Sequence, residues 1–319
     1  MPLTEFELIS RYFTRPSRRT DVVRGVGDDC AIVRVPAGME LAVTIDTLIS
    51  GVHFPPETDP YAIGWKVLAV SLSDLAAMGA DPAWATLALT LPEVNEDWLR
   101  AFSQGLFDLA NQYNLTLIGG DTTRGPLAIT LQAHGFVPLG QALERSGAQA
   151  EDLIYVTGTL GDATIGLELS QGRWSNPIIA ADTAYLSSRL DYPQPRVVAG
   201  RALRGIASAA IDLSDGLVAD LGHILSASAV GAVVYLECLP LSPALKKLTV
   251  PWEKIVGGGD DYELCFTLPP ERQEELERIS ATVGCNFTLI GTIRKSLGIS
   301  WLDAGNQVVN INTIGFRHF

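Results

Sequence analysis

Seven aspartates of the sequence lie in unusual places for a carboxylate: after an apolar run, in a glycine-containing turn, or on an apolar helix. They are Asp28, Asp29, Asp46, Asp74, Asp121, Asp212 and Asp215. Carboxylate oxygens without a cluster of His or Cys favour a hard cation, Mg²⁺ before Mn²⁺ or Ca²⁺, over zinc. Several Mg²⁺ ions held by separate aspartates are typical of proteins that handle phosphates, because the metal neutralises phosphate charge and aligns the reacting oxygens.

Asp74 is the sharpest of these cases. It lies on a helix that the sequence predicts over residues 59–79, beginning after Asp59 as N-cap and apolar on almost every side. An unpaired carboxylate on such a helix is costly, so Asp74 is expected to be paired, protonated or bound to a cation. A structural ion pair with Lys66 or Arg100 is the alternative to a metal.

The other N-terminal aspartates also have structural alternatives. Asp28 and Asp29 in "GVGDDC" suit a solvated turn, and Asp46 in "VTIDTL" suits the end of a strand. The segment "GVGDDC" stops short of a complete GxGxxG, and the sequence contains neither GxxxxGK[ST] nor a kinase-like catalytic loop. If this chain uses ATP, it binds the nucleotide without any of these common motifs.

The segment "IDLSDG" contains three polar side chains within four positions. Asp212, Ser214 and Asp215 are all candidates for the N-cap of a helix predicted to begin near Leu217. A cap needs one such side chain, so capping leaves the other two unexplained.

The stretch "LIGGDTTRGP", residues 117–126, places Asp121 directly after an apolar strand and two glycines. Gly119 and Gly120 are expected to form a turn between two strands. Their bare backbone also suits the close approach of a phosphate, as does "VTGTLG" at 156–161. Turn formation is the commoner reason for a glycine pair, and it leaves Asp121 unexplained.

Strand and helix patterns alternate along the chain, which predicts an α/β or α+β protein. At 319 residues the chain is long enough for two domains. The polar, turn-rich segment "ALERSGAQAEDL" is the expected boundary, with one domain over residues 1–145 and the other over 146–319.

Composition and charge exclude several classes of function. Acidic residues outnumber basic ones by 36 to 23, a net charge of −13, which argues against a nucleic-acid-binding surface. No stretch reaches the ~20 apolar residues of a membrane span, and "MPLTEFELISRYF" lacks the apolar core of a secretory signal. The four cysteines lack CxxC spacing and are expected to be reduced, mostly buried thiols, which favours the cytoplasm.

Six segments, taken in order, closely resemble the thiamine-monophosphate kinase family of the aminoimidazole-ribotide-synthetase-like superfamily. They are "GVGDDCAIV", "TIDTLISGVHF", "SLSDLAAMGADP", "LIGGDTTRGP", "IDLSDGLVADLGHIL" and "GGGDDYELCFT". The resemblance runs from "FELISRYF" to "GFRHF". It implies a two-domain α/β (α+β) fold whose N-terminal domain forms the sheet or barrel of a homodimer. It also implies an enzyme that makes thiamine diphosphate from thiamine phosphate and ATP with several Mg²⁺ ions.

The resemblance further implies roles for residues at matching motif positions. The implied metal ligands are Asp29, Thr44, Asp46, Asp74, Asp121, Asp212 and Asp215. The implied nucleotide contacts are Gly120, Asp121, Arg145 and Ser214, and the implied contacts to thiamine phosphate are His53, Glu263 and Phe316. Two positions depart from the family pattern. Asp260 replaces a glutamate, and Ile45 stands where a hydroxyl residue often precedes the aspartate, so that any ligand oxygen there must be backbone.

The implied reaction needs no general base, and no catalytic side chain is assigned. The nucleophile is a phosphate oxygen of thiamine phosphate, already anionic near neutral pH because the second pKa of a phosphate monoester is about 6. Metal neutralisation and in-line positioning overcome the repulsion between two phosphates, so direct transfer without a phosphoenzyme is expected. Glu263 is expected to accept hydrogen bonds from the aminopyrimidine, and Phe316 to stack on a substrate ring.

Two alternatives to this function remain open at the level of sequence. One is a related ATP-dependent enzyme with a different acceptor, such as an amide oxygen, a carbamoyl group or selenide. The other is a non-catalytic regulator that binds Mg²⁺ and nucleotide.

Overall fold

The computed structural model describes residues 4–316. Within them the chain forms two compact units, one of residues up to 75 together with 80–140, the other of residues 76–79 and from 141 onward. Helices and strands are mixed in both units, as the sequence predicts. Across residues 4–316, no helix has the length and apolar character that a membrane crossing requires.

The first unit has short N-terminal elements followed by long strands and helices. Its helices are α1 (Glu5–Leu8), continued by a π-helical turn over Ile9–Phe13, α2 (Pro60–Ala77) and α3 (Glu96–Gln112). Its strands are β1 (Val22–Arg24), β2 (Ile32–Val33), β3 (Met39–Ile49), β4 (Asp81–Leu91), β5 (Thr116–Arg124) and β6 (Ala128–Pro138). The predicted N-cap of α2 is confirmed, since Asp59 Oδ1 accepts from the backbone N–H of Tyr61 at 3.2 Å.

Among the described residues, four of these strands form a sheet in the order β3-β6-β4-β5. Strand β6 is antiparallel to β3 and β4, whereas β4 and β5 are parallel. Successive side chains of a strand point to opposite faces. Thr44 and Asp46 therefore share the inner face of β3, which contacts α2 through Ser71, while Val43 and Ile45 lie exposed on the outer face.

Two aspartates that were expected at strand ends lie inside strands. Asp46 belongs to β3, and Asp121 belongs to β5. Gly119 and Gly120 also lie within β5, directly after a shift in the register with β4 that falls between Leu117 and Gly119. The prediction that this glycine pair forms a turn is therefore wrong: the backbone irregularity is a bulge that keeps the strand paired on both sides.

The second unit is built around a larger sheet. Its helices are α4 (Asp162–Ser170), α5 (Ala180–Asp191), α6 (Val197–Ala202), α7 (Leu217–Ser228), α8 (Trp252–Gly257) and α9 (Gln273–Val283). Its strands are β7 (Leu153–Thr157), β8 (Ala209–Asp212), β9 (Gly231–Tyr235), β10 (Leu264–Leu268), β11 (Phe287–Arg294), β12 (Gly298–Leu302) and β13 (Val308–Val309).

Within the described part of the chain, these seven strands form a sheet in the order β13-β12-β9-β11-β7-β10-β8. Strand β10 is antiparallel to both β7 and β8, with Leu264 opposite Asp212 and Cys265 opposite Val156. The C-terminal ends of β7 and β8 therefore lie beside the N-terminal end of β10. The loops over 158–161, 213–216 and 258–263 lie together at these strand ends.

Candidate active site

The inner face of β3 carries oxygen groups that contact α2. Ser71 Oγ donates to Asp46 Oδ2 at 2.7 Å, and Thr44 Oγ1 donates a short hydrogen bond to Asp74 Oδ2. Burial raises the pKa of Asp46 above its ordinary value, although the Ser71 hydroxyl and nearby His53 act in the opposite direction. A carboxylate desolvated in this way is stabilised by a cation. The pattern is the one expected of a metal ligand.

Two side chains away from the inner face of β3 bear on alternatives that the sequence left open: Arg100 as a partner of Asp74, and Ile45 as a departure from the family pattern. Arg100 pairs with Asp97 at 2.6 Å on the exposed surface of α3. Ile45 is 61% exposed and lies on the outer face of β3. A hydroxyl side chain at position 45 would therefore lie on the opposite face from Asp46, so this departure from the family pattern leaves the inner face of β3 unchanged.

His53 lies in the turn that follows β3. Its Nδ1 accepts from the backbone N–H of Ile49 at 3.0 Å. A neutral imidazole whose Nδ1 accepts carries its proton on Nε2. Nε2 is therefore the atom through which His53 donates to an anion, as a contact to a substrate phosphate requires.

A cavity of about 650 Å³ in the first unit brings together Asp29, Gly120 and Asp121. Its apolar wall comes from the N-terminal helical segment and from β4 and β5, namely Phe6, Ile9, Phe13, Leu87, Leu117 and Ile118. Asp28 also lines the cavity but pairs with Arg24 at 3.0 Å. The carboxylates of Asp29 and Asp121 have no hydrogen-bond or ion-pair partner within residues 4–316. Of the two adjacent aspartates, Asp29 is the one available to a ligand.

The two glycines that line this cavity differ in what surrounds them. Gly120 has a φ of +153°, and a Cβ there would lie 1.9 Å from the carbonyl oxygen of Leu87. At Gly119 a Cβ would meet no protein atom within 4 Å. Packing against β4 thus requires glycine at position 120, whereas position 119 leaves bare backbone at the cavity.

We expect Gly120→Ala to destabilise the protein by about 3 kcal/mol or more, because it adds backbone strain to a clash with β4. Gly119→Ala is expected to change the free energy of unfolding by less than ~1 kcal/mol. Chemical denaturation of the two variants checks this contrast. Equal destabilisation would contradict the conclusion that close packing against β4 requires glycine at position 120 but not at position 119.

In the second unit, the loop between β8 and α7 holds the other predicted ligands. Asp212 ends β8 and is buried. The backbone N–H of Asp215 donates to Asp220 Oδ2 at 3.0 Å. The N-cap of α7 is Gly216, and no side chain makes a capping hydrogen bond there. The alternative that Asp212, Ser214 or Asp215 caps this helix is therefore wrong.

Asp220 supports this loop, a role that the sequence did not indicate. Burial raises its pKa to about 7, although backbone N–H groups of the loop, Asp215 first among them, oppose the shift. Asp220 lies in the first turn of α7, and its carboxyl group fixes the loop by accepting the backbone N–H of Asp215. In the sequence Asp220 has the appearance of an ordinary polar helical position, so only the fold reveals its contact.

The Asp260 departure has a conformational explanation. Asp260 has a φ of +67°, and its backbone N–H donates to the carbonyl oxygen of Ser214 at 2.9 Å. Aspartate is enriched in this left-handed region relative to most residues with a Cβ. The backbone hydrogen bond also ties the loop over 258–263 to the predicted nucleotide contact Ser214.

Glu263 is fully buried and closely surrounded by donors. Arg196 donates to both carboxylate oxygens at 2.5 Å, Arg189 donates to Oε1 at 2.8 Å, and Thr157 donates to Oε2 at 2.7 Å. Burial opposes ionisation, but Arg196 and then Arg189 hold the pKa of Glu263 below its ordinary value. A direct contact between Glu263 and a substrate would require one of these donors to leave.

Asp261, two residues earlier, completes this buried layer. Both of its carboxylate oxygens accept from the backbone N–H of Gly161 at 3.0 Å. Burial raises the pKa of Asp261 well above its ordinary value. Asp261 thus attaches the loop over 258–263 to the segment that follows β7, and Glu263 attaches it to Thr157 at the end of β7. The arginines of this network carried no motif signal in the sequence.

Phe316 and Arg145 are the remaining predicted contacts. The backbone N–H of Phe316 donates to the carbonyl oxygen of Asp215 at 3.0 Å, and its ring is 47% exposed. This places Phe316 beside the β8–α7 loop. Arg145 is exposed, and its guanidinium has no ion-pair partner within the described residues. Both side chains are thus accessible to a ligand.

The predicted metal ligands do not form a ready-made cluster. Across residues 4–316, no three His, Cys, Asp or Glu side chains lie close enough to hold a metal together. Magnesium commonly takes one or two carboxylates, several waters and substrate phosphates. In the first unit, Asp46 is desolvated, and the carboxylates of Asp29 and Asp121 have no partner within residues 4–316, so these oxygen donors suit such an ion.

Comparison with known proteins extends these observations. Residues 27–137 match the N-terminal domain of AIR synthase related protein, and residues 149–301 match its C-terminal domain. Thiamine-monophosphate kinase of Escherichia coli (strain K12) is 51% identical over 324 residues, covering 100% of this chain and 99% of that protein.

Two solved structures have the same fold. The crystal structure of thiamine-monophosphate kinase from Stenotrophomonas maltophilia K279a has a TM-score of 0.88 at 48% identity, covering 97% of this chain and 99% of that one. AaThiL complexed with AMPPCP and TMP has a TM-score of 0.79 at 32% identity, covering 92% of each chain.

The two matched domains show that the chain is a member of the AIR synthase related class. Within this class, the sequence identities of 51% and 48% to two thiamine-monophosphate kinases, over nearly the full length of the chain, identify the family. The chain belongs to the thiamine-monophosphate kinase family and is a phosphotransferase.

Proposed function

We propose that this chain transfers the γ-phosphoryl group of ATP directly to the phosphate of thiamine phosphate, forming thiamine diphosphate. The observation that carries the proposal is the cavity in the first unit, where the carboxylates of Asp29 and Asp121 lack partners within residues 4–316 beside the bare backbone of Gly119. Such a lining suits a polyphosphate that arrives with its cations. The bound AMPPCP and TMP of the relative AaThiL support the same pair of ligands.

The nucleotide contacts that we propose are Gly120, Asp121, Arg145 and Ser214. Arg145 is exposed and offers a guanidinium fork to a phosphate. The carbonyl oxygen of Ser214 accepts from Asp260, so the loop that carries the Ser214 side chain is held in place. A rigid loop reduces the ordering cost of binding a ligand.

Magnesium is the cation that we propose for this site. Its proposed ligands are Asp29, Asp46, Asp74, Asp121, Asp212 and Asp215, with Thr44 as a helper. When bound, Mg²⁺ supplies neutralisation of phosphate charge and alignment of the attacking and leaving oxygens. Thr44 holds the Asp74 carboxylate by a hydrogen bond, and Ser71 holds that of Asp46. These two hydroxyls orient the proposed ligands.

Thiamine phosphate needs no general base, because its phosphate oxygen is already anionic near neutral pH. We propose that His53 donates to this phosphate through Nε2, and that Phe316, with its exposed ring, stacks on a ring of the substrate. Glu263 stays a proposed substrate contact. Its Arg189 and Arg196 partners also make it the anchor of the loop over 258–263.

We also propose a homodimer in the cytoplasm. The outer face of β3 exposes Leu41, Val43 and Ile45, by 42%, 51% and 61% respectively. A row of exposed apolar side chains on an edge strand is suited to burial by a second copy of the sheet. All four cysteines, which lie within the described residues, are free thiols, as the reducing cytoplasm favours. Only Cys265 is buried, so the expectation that most of them are buried is wrong.

The direct test is ADP release with ATP and Mg²⁺, measured with and without thiamine phosphate. We expect release to depend on thiamine phosphate and thiamine diphosphate to accumulate in equal amount. Inversion of configuration at a chiral γ-phosphate is expected for one direct displacement. Activity only with another acceptor would overturn the substrate, and net retention would overturn direct transfer.

A further inference from the structure

The segment that follows β13 lies against the loop between β8 and α7. Residues 310–316, called the tail segment below, are all described and form neither helix nor strand. Strands β13 and β8 are the two outermost strands of the seven-stranded sheet in the described part of the chain. The tail segment therefore leads from one side of the sheet to the loop that follows the strand at the other side. The proposed reaction assigns a role to the ring of Phe316 but none to the rest of this segment.

Two backbone contacts join the tail segment to the β8–α7 loop. The backbone N–H of Phe316 donates to the carbonyl oxygen of Asp215 at 3.0 Å. Gly315 has a φ of +79°, and a Cβ there would lie 2.7 Å from the same carbonyl oxygen and 2.7 Å from the Cβ of Ala219 on α7. The backbone at Gly315 thus approaches the loop more closely than a residue with a Cβ could.

The end of α8 contacts both the tail segment and the loop. A Cβ on Gly257 would lie 2.5 Å from the side chain of Thr313. A Cβ on Gly216 would lie 2.8 Å from the carbonyl carbon of Gly257. Close-packed groups transmit displacements to one another. A shift of the tail segment therefore reaches the loop by a second route, through the end of α8.

The tail segment is suited to exist in a docked and an undocked form. Its side chains alternate between half-buried and exposed, with Ile314 and Phe316 61% and 47% exposed. A segment outside the sheet with so little buried surface opens locally at a small cost in free energy. Ile311 packs against the core of the second unit and anchors the start of the segment. We therefore expect the opening to involve residues 313–316.

The two partners of the backbone hydrogen bond serve different ligands in the proposed function. Asp215 is a proposed Mg²⁺ ligand next to the proposed nucleotide contact Ser214, whereas Phe316 is proposed to stack on thiamine phosphate. A ligand that fixes Asp215 also fixes the carbonyl group that accepts from Phe316. A substrate that fixes Phe316 fixes the donor. Each ligand thus binds the docked form better than the undocked form, and by linkage each increases the affinity for the other by the same factor.

We propose that the tail segment positions Phe316 relative to Asp215 and so couples the binding of thiamine phosphate to that of Mg²⁺ and nucleotide. Gly315 is a positioning residue, because its contacts are with the loop and α7. The coupling favours the complex that holds both substrates, which direct transfer between them requires. The proposal rests on the proposed function for the identity of the two ligands.

The test is the dissociation constant of thiamine phosphate, measured by calorimetry with and without saturating Mg²⁺ and AMPPCP. In wild type we expect the nucleotide analogue to tighten binding at least about fivefold. In Gly315→Ala the added Cβ displaces the tail segment, so this factor should fall towards one. The converse titration, of AMPPCP and Mg²⁺ with and without thiamine phosphate, should give the same factor in each protein.

Gly205→Ala is the matched control. Gly205 has a φ of +68°, and a Cβ there would meet no atom of residues 4–316 within 4 Å. The variant therefore adds similar backbone strain in the same unit without a clash, and it should keep the wild-type factor. Equal loss of the factor in both variants would assign it to general destabilisation and overturn the proposal. Far-UV circular dichroism verifies that each variant is folded.

Hydrogen exchange of the wild-type protein tests the coupling without any substitution. We expect exchange of the backbone amides over 313–316 to slow when thiamine phosphate alone or Mg²⁺ and AMPPCP alone is added, because each ligand favours the docked form. Exchange that neither ligand changes would overturn the proposal, since the segment would then have one form only.

The proposal is also overturned if wild type binds both ligands independently, or if Gly315→Ala keeps a factor within about 1.5-fold of wild type. Failure of the proposed function has a different signature: wild type then binds no thiamine phosphate, whether or not Mg²⁺ and AMPPCP are present. That result removes the coupling together with its ligand, whereas independent binding of both ligands removes the coupling alone.

Discussion

Asp74→Asn is expected to lower kcat by at least about 100-fold while the protein stays folded. The substitution removes a negative charge that we assign to Mg²⁺ binding at the phosphates. Asparagine retains a side-chain oxygen that accepts from Thr44, so the contact between β3 and α2 survives. Steady-state ADP release at saturating Mg²⁺ and ATP measures the loss, and thermal unfolding verifies the fold.

Asp97→Asn is the control for this experiment. It makes the same change of charge on an exposed carboxylate that pairs with Arg100 at 2.6 Å. An exposed pair of this kind contributes little to stability, so wild-type activity is expected. If Asp74→Asn keeps activity within about threefold of wild type, Asp74 is a structural acceptor for Thr44 and its assignment as a metal ligand is wrong.

Glu263→Gln is expected to destabilise the protein by about 3–5 kcal/mol, because it removes the fully buried carboxylate charge that pairs with the largely buried Arg189 and Arg196. Both arginines are largely buried, and Glu263 is fully buried. Urea denaturation followed by tryptophan fluorescence measures the change. A loss of activity at temperatures well below unfolding would indicate an additional contact between Glu263 and the substrate.

Glu275→Gln is the matched control for Glu263. Glu275 lies 2.8 Å from Arg272, the same distance as between Glu263 and Arg189, but on the surface. Its replacement is expected to cost less than ~1 kcal/mol. Equal effects of the two variants would show that burial of the Glu263 network does not control its contribution.

The Glu263 effect is also expected to depend on pH. Its pKa in the folded protein is below the ordinary value of 4.5. The stabilisation is therefore fully present above pH 4.5 and is lost as the pH falls through the lower folded-state pKa. The difference in unfolding free energy between wild type and Glu263→Gln should shrink over this acidic range and stay constant near neutrality.

Local patterns predicted much of the secondary structure. Helix α2 begins after Asp59, as its capping residue and apolar run indicate. Strand β8 is followed by α7 across the acidic turn. Both predictions succeed because helix caps and apolar periodicity act between residues close in sequence. The all-oxygen donor set is likewise visible in residue types alone.

Contacts between distant segments decided what local patterns could not. Gly120 was expected in a turn, yet it lies within β5 and pairs with Leu87 on β4, whose backbone passes within clashing distance of any Cβ there. Ile45 lies on the outer face of β3, a consequence of strand register. Neither fact follows from neighbours in sequence, since strand pairing joins residues far apart in the chain.

The sequence by itself determined which carboxylates this protein possesses, the order of their motifs and, through that order, the family. The tertiary structure decided which of these carboxylates form ion pairs within the chain. Glu263 is taken by two arginines and Asp28 by Arg24, whereas Asp29 and Asp121 have no such partner within residues 4–316. The physical reason is that desolvation and ion pairing depend on distances between side chains, which only the folded chain defines.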